Sequence, residues 1–179
     1  MPELCLVRAV TRKDLPMLLN WRNHADVRRF MFTQHEISQE EHLNWFERAS
    51  QDDSRSLLIV ETSDGPIGYV QFNNVCMGGV SEWGFYTRPN APAGSGKRLG
   101  ETALQHAFEK LQLHKVCGQA IEDNQASIRF HHKLGFTKEG TLREHQRIEH
   151  SYRAVICFGL LRHEWSSRSI TKELKDVRH

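Results

Sequence analysis

The sequence predicts an α/β (α+β) fold in which strands and helices are intermixed, and three observations carry that expectation. A helix start, a helix and a strand start are joined in one stretch from Asn124 to Phe136, reading N-Q-A-S-I-R-F-H-H-K-L-G-F. A loop rich in proline and glycine, from Arg88 to Gly100, feeds a second helix with an apolar face. Around these, strand-like runs complete the order β, two helices, three antiparallel strands, helix, strand, helix, then two strands.

Each element has a local reason. Leu4 to Val10 alternates like an edge strand, and Thr11 opens T-R-K-D, a capping-box variant before a helix expected to run through Leu19. W-R-N-H from Trp21 and V-R-R-F-M-F from Val27 read as a short helical or irregular piece. Ser38 begins the cleaner capping box S-Q-E-E, followed at helical spacing by Leu43, Phe46 and Ala49. Leu57 to Glu61 and Ile67 to Asn73 flank S-D-G-P and read as a β-hairpin. Val80 to Thr87, Val116 to Ile121 and Ala154 to Leu161 are further strands, the last two nearly all apolar.

The two loops that precede helices suggest chemistry. After R-P-N-A-P-A-G-S-G-K-R-L-G, the residues Leu99, Ala103, Leu104, Ala107, Phe108 and Leu111 recur at helical spacing. A glycine-rich loop at a helix N-terminus presents unpaired amides and the positive dipole end, which suits a pyrophosphate, and Lys97 and Arg98 add positive charge. A plain structural turn is the alternative. At the later helix Asn124 sits as N-cap, Ala126, Ile128, Phe130 and Leu134 supply apolar surface, and Gly135 ends the helix before Phe136.

Composition bounds the partners. With 179 residues, 39% of them hydrophobic, and a formal net charge of +2, the chain is neither a disordered tail nor a strongly basic nucleic-acid binder. One domain is expected over residues 1–165, followed by a polar, frayed or weakly helical tail over 166–179. No apolar run approaches the ~20 residues of a membrane span, and Met1 to Val10 lacks the pattern of a secretory signal, so the cytoplasm is the expected location. Cys5, Cys76, Cys117 and Cys157 lack C-x-x-C spacing and are expected to be buried free thiols. His131 and His132 point apart on a helix, and His145 and His150 have no zinc-like companions, so no metal site is expected.

Taken together, the Asn124 segment and the Gly-rich loop some forty residues before it resemble the GCN5-related N-acetyltransferase (GNAT) superfamily. The resemblance implies the acyl-CoA N-acyltransferase fold: a mixed central sheet of about seven strands, helices on both faces, and two splayed central strands that receive acetyl-CoA. It implies cofactor contacts from Phe85, Tyr86 and Thr87, from the loop Gly94, Ser95, Gly96, Lys97, Arg98, Leu99 and Gly100, and from Asn124 and Ser127. Against the family pattern Q/R-x-x-G-x-G/A, Ser95 and Arg98 stand where a basic or amide residue and a glycine are usual. Near Phe85 a backbone amide would polarise the acetyl carbonyl. His131 occupies the position where many relatives carry a tyrosine acid, which gives it the role of proton donor, or else of a residue that packs against the cofactor. For the general base the candidates are Glu82, on the strand leading into the cleft, and His42; both could instead be ordinary polar residues.

The acceptor is read from another stretch. W-R-N-H-A-D-V-R-R-F-M-F, I-S-Q-E-E-H-L-N-W-F, P-I-G-Y-V-Q-F and the late H-E-W resemble the UDP-amino-sugar N-acetyltransferases of pseudaminic acid biosynthesis, which act in flagellin glycosylation. That implies a UDP-linked 4-amino-4,6-dideoxy sugar as acceptor, with Trp21, Arg22, Arg29, Met31, His42 and Trp45 as substrate-binding candidates and a monomer or homodimer as the working unit. Arginines suit a diphosphate and aromatics a ring slot, although the same residues could form helix core and a solvated face. The alternative is a protein Nα-acetyltransferase of the ribosomal-protein-modifying type, which shares the L-G-F segment, E-G-x-L-R and E-W.

Overall fold

A computed structural model describes residues 5–168. Its elements are β1 (Leu6–Ala9), α1 (Leu15–Asn23), α2 (Ala25–Arg28), α3 (Gln39–Ser50), β2 (Ser56–Thr62), β3 (Gly65–Asn73), β4 (Val80–Thr87), α4 (Ser95–Glu109), β5 (Lys115–Ile121), α5 (Gln125–Leu134), β6 (Thr137–Ile148) and β7 (Ser151–Leu161). The seven strands form one mixed sheet in the order β1-β2-β3-β4-β5-β7-β6. Leu4, expected to begin the first strand, and the expected tail beyond residue 168 lie outside the described residues; residues 162–168 are helical.

The expected first helix is longer than its pattern suggested. A 3-10 turn over Arg12–Asp14 leads into α1, which runs on through Trp21 and Arg22. The turn is fixed by Asp14, whose carboxylate accepts from the Thr11 amide at 2.8 Å and from both Arg8 terminal nitrogens at 2.8 and 2.9 Å. The Arg8 guanidinium holds that carboxyl at about 2, against the opposing effect of burial.

Apolar faces sort the helices onto the two sides of the sheet. Leu99, Ala103, Leu104, Ala107 and Phe108 of α4 pack with Leu134 of α5 against Val60, Val70, Phe72 and Val116. On the opposite side Leu18, Trp21 and Ala49 from α1 and α3 cover Leu57, Ile59 and Tyr69. The second layer covers β2 and β3 but leaves the outer faces of β5 and β7 to solvent, so Cys117 and Cys157 are only half-buried; Cys76 is exposed, and none of the four cysteines forms a disulfide. Burial of all four cysteines, expected from their apolar neighbours in sequence, is therefore not what the fold provides.

The parting of β4 from β5 shapes the molecule. They pair in parallel only at Val80↔Lys115, Ser81↔Val116 and Glu82↔Cys117, whereas β4 stays paired with β3 to Thr87 and β5 stays paired with β7 to Ile121. Beyond Glu82 each strand therefore keeps one neighbour and turns a free edge to the gap. An aromatic cluster fills the sheet's underside at that point. Trp83 packs 4.7 Å from Phe85, 5.2 Å from Phe136 and 5.7 Å from His131, centroid to centroid. Gly118 lies directly over it: a Cβ there would collide with His131 Nε2 and come within 2.7 Å of Trp83 Nε1.

The β6–β7 hairpin is long, with β6 largely exposed and β7 contributing Val155, Ile156, Phe158 and Leu160 to the core, and it has register shifts between Lys138 and Gly140 and between Leu142 and Gln146. Its far end reaches back across the molecule, where the Gln146 amide donates to the Phe32 carbonyl at 3.2 Å.

Gly118→Ala is expected to destabilise the fold by about 1–3 kcal/mol through overpacking, because the obstructing atoms belong to two buried rings. Urea unfolding of the variant against the parent measures this, and an unchanged midpoint would show that the rings can yield.

Candidate active site

A cleft of about 780 Å³ occupies the gap between β4 and β5. Phe85, Tyr86 and Thr87 line it from β4, Gly96 from the start of α4, and Asn124 and Ser127 from α5. These six were all expected at the cofactor. The Asn124 side chain accepts from the Ser127 amide at 3.0 Å, capping α5 and fixing that wall. At the other helix Gly94 takes a left-handed conformation (φ 85°) as N-cap and offers no side-chain acceptor. The Ser95 amide is taken by the Pro92 carbonyl at 3.1 Å and the Arg98 amide by Gly94 at 3.1 Å, while the amides between them point out of the helix end, as a phosphate requires.

The remaining loop residues separate by orientation. Ser95 and Leu99 are buried and Gly100 packs against Phe130 and Leu134, so these three face the core. Lys97 is exposed and lies 4.0 Å from Glu101.

A second hollow, of about 410 Å³, adjoins the first and shares Met31, Gln71, Gly84, Phe85 and Tyr86 with it. Arg22, His42, Trp45 and Tyr69 complete its core, so four of the six expected acceptor residues converge here. Arg22 donates through Nη2 to the Thr33 carbonyl at 2.7 Å, while its buried Nη1 has no hydrogen-bond partner among the described residues. His42 stacks on Trp45 at 5.2 Å, and burial, then the Arg22 charge, lower its pKa and keep the ring neutral at pH 7. Burial raises the pKa values of the Tyr69 and Tyr86 phenols, and Tyr69 donates to Gln71 Oε1 at 2.9 Å.

Two acceptor candidates are not brought in. Trp21 is 8% exposed and packs with Leu18, Ala49 and Ile59 on the inner side of α1, serving as core. Arg29 is exposed, 3.6 Å from Asp26, with its guanidinium over the Phe30 ring. Glu82 does face the larger cleft, from the outer side of β4. Among the described residues no three His, Cys, Asp or Glu side chains stand together as a metal-binding group.

The family model described as the acetyltransferase (GNAT) domain matches residues 4–137. The chain belongs to the GNAT family. It is 30% identical over 125 residues to acetyltransferase PseH of Campylobacter jejuni strain 81-176, spanning 70% of this chain and 78% of that protein. It is 25% identical over 163 residues to spermidine N(1)-acetyltransferase of Escherichia coli K12, spanning 89% and 87%. Among solved structures, the Vibrio cholerae spermidine N-acetyltransferase in complex with CoA and spermine superposes with a TM-score of 0.82 at 24% identity, over 90% of this chain and 97% of that one. As a GNAT enzyme the protein is an acetyl-CoA-dependent N-acetyltransferase, and the free strand edges and open helix end fit that cosubstrate.

In this GNAT enzyme His131 does not have the surroundings of a proton donor. The ring is fully buried and stacks on Phe158 at 4.6 Å. Trp83 Nε1–H can only donate, so His131 Nε2 accepts from it at 3.1 Å, which leaves the ring hydrogen on Nδ1, donated to the Ser127 carbonyl at 2.8 Å. Burial lowers its pKa to about 4. With both nitrogens engaged and the ring neutral, His131 braces the strand gap rather than entering it.

The strand residues Gln71 and Asn73, which also line the site, escaped the sequence reading. The available signal was polar side chains at alternate positions of β3, a strand otherwise read as sheet core.

His131 gives a pH prediction with a definite sign. Its folded pKa lies below the unfolded value, so the unfolded chain binds more protons between the two, and stability is lost on acidification from about pH 6.5 to about pH 4. A loss of up to a few kcal/mol is expected. His131→Gln should flatten that part of the urea midpoint against pH curve.

Proposed function

We propose that this enzyme transfers an acetyl group from acetyl-CoA to the 4-amino group of a UDP-linked 4-amino-4,6-dideoxy sugar, as in pseudaminic acid biosynthesis, in the cytoplasm. The observation that carries the reading is Arg22, a half-buried guanidinium with one nitrogen unpaired, facing an aromatic-walled hollow that also holds Arg48. Such a hollow suits a ring-bearing acceptor with a diphosphate. It is the wrong sign for a polyamine, since two guanidiniums, Arg22 and Arg48, stand in its wall against one carboxylate, Glu41. The resemblance to PseH points the same way.

The chemistry follows from what lines the junction of the two hollows. Acetyl-CoA supplies a thioester carbonyl, which a backbone amide near Phe85 polarises. Glu82 takes a proton from the incoming ammonium, directly or through water, and the neutral nitrogen attacks. Among the residues that line both hollows Tyr86 is the one with a hydroxyl, and it takes the donor role, giving its proton to the departing thiolate, since both His131 nitrogens are engaged.

Thiol release is to be followed with acetyl-CoA and, in parallel, the UDP-4-amino sugar, peptides with free N-termini, and spermidine. Turnover of the sugar nucleotide above the others is expected, and Arg22→Gln should raise its KM about 10- to 100-fold with little change for acetyl-CoA. Robust acetylation of peptides or spermidine with none of the sugar would overturn the assignment. Tyr86→Phe should lower kcat at least about tenfold if the phenol donates; an unaltered kcat returns that role to solvent.

A further inference from the structure

We infer that Asn73 receives the acceptor's amino group, its side-chain oxygen accepting one N–H while Glu82 accepts the proton that is lost. The inference rests on the acetyl-transfer activity and not on which amine is used.

The register of β3 against β4 sets out three rungs on the acceptor side of the sheet: Tyr69↔Tyr86, Gln71↔Gly84 and Asn73↔Glu82. Successive rungs are ~7 Å apart. Arg22 belongs to the hollow at the first rung, and the second lies where the two hollows join, beside Phe85. The third carries Asn73 and Glu82, which line only the larger cleft, immediately before β4 and β5 part. The site thus has a cationic end, at Arg22, and an end with one carboxylate and one amide, Glu82 and Asn73. An acceptor carrying an amine and an anion is oriented by that polarity alone.

Asn73 is an odd residue for this place unless a ligand uses it. Asparagine is depleted in strands, yet here it closes one, paired with Glu82 of β4. Its backbone carbonyl is held by Ser81 Oγ at 2.6 Å, which fixes the residue's base, whereas its side-chain Oδ1 is buried with no hydrogen-bond partner among the described residues. A buried oxygen left unpaired costs stability. Nothing holds that oxygen inward, so turning the amide over presents it to the cleft without breaking a bond. Glu82 and Asn73 can then both accept from an ammonium. Once one proton has passed to Glu82, the hydrogen bond to Asn73 fixes the direction of the nitrogen lone pair as the N–C bond forms and the C–S bond breaks.

The test compares Asn73→Leu, which keeps the volume and removes the oxygen, with Asn73→Asp, which keeps an oxygen acceptor. Both are assayed on whichever of the UDP-4-amino sugar, N-terminal peptide or spermidine the parent enzyme acetylates most. Asn73→Leu is expected to lose about tenfold in kcat/KM for the amine, with calorimetric acetyl-CoA affinity and melting temperature unreduced, and Asn73→Asp to stay within about threefold of the parent. A merely structural asparagine predicts the reverse, since Leu leaves no unpaired oxygen. Parent-like turnover by Asn73→Leu, or losses of acetyl-CoA affinity or folding that match its loss of turnover, would overturn the inference. Preference for a different amine would overturn the previous assignment and leave this one standing.

Discussion

The aromatic wedge beneath the point where β4 leaves β5 is the constraint on which the site depends. Trp83 donates to His131, His131 donates to the Ser127 carbonyl, and Gly118 yields the space that both rings need. Through this chain α5 is locked to β4 at the residue after the last parallel pair. The strands cannot close below the gap, and their free backbone edges stay available to a ligand that brings its own amides. A neutral histidine suits this use, because a charged ring would have to be desolvated among Phe85, Phe130, Phe136 and Phe158.

Electrostatics divides labour along the same sheet. At the start of α4 the groups turned outward are backbone amides, which need no particular side chain. The two hollows instead present individual side chains at defined depths: Arg22 half-buried in one, Glu82 exposed in the other. Arg22 owes its position to α1, whose start is pinned to the sheet by the Arg8–Asp14 pair.

Much of the fold was legible because local signals agreed with one another. The capping boxes at Thr11 and Ser38, the glycine-rich entry to α4, and Asn124 with Gly135 marked helix ends, and the S-D-G-P turn fixed a hairpin. What stayed hidden depends on the third dimension. Trp21 and Trp45 look alike in sequence, but one faces the sheet from α1 and the other lines a hollow from α3. His131 had the right position for an acid, and only its neighbours reveal a ring with no free nitrogen. Asn73 carried no motif at all; its meaning comes from the strand register and from an oxygen left without a partner.

The contact from Gln146 to the Phe32 carbonyl joins two segments 114 positions apart. It ties the most solvent-exposed hairpin to the short stretch that carries Met31 into both hollows. Changes at the hairpin's far tip therefore reach that stretch by a contact separate from the wedge, which the same hairpin joins at its base through Phe158, and separate from the start of α4. In evolutionary terms the second hollow can be retuned from the ribbon's far tip, while the ribbon's base, with Glu139, Cys157 and Phe158, stays in the wall of the larger cleft.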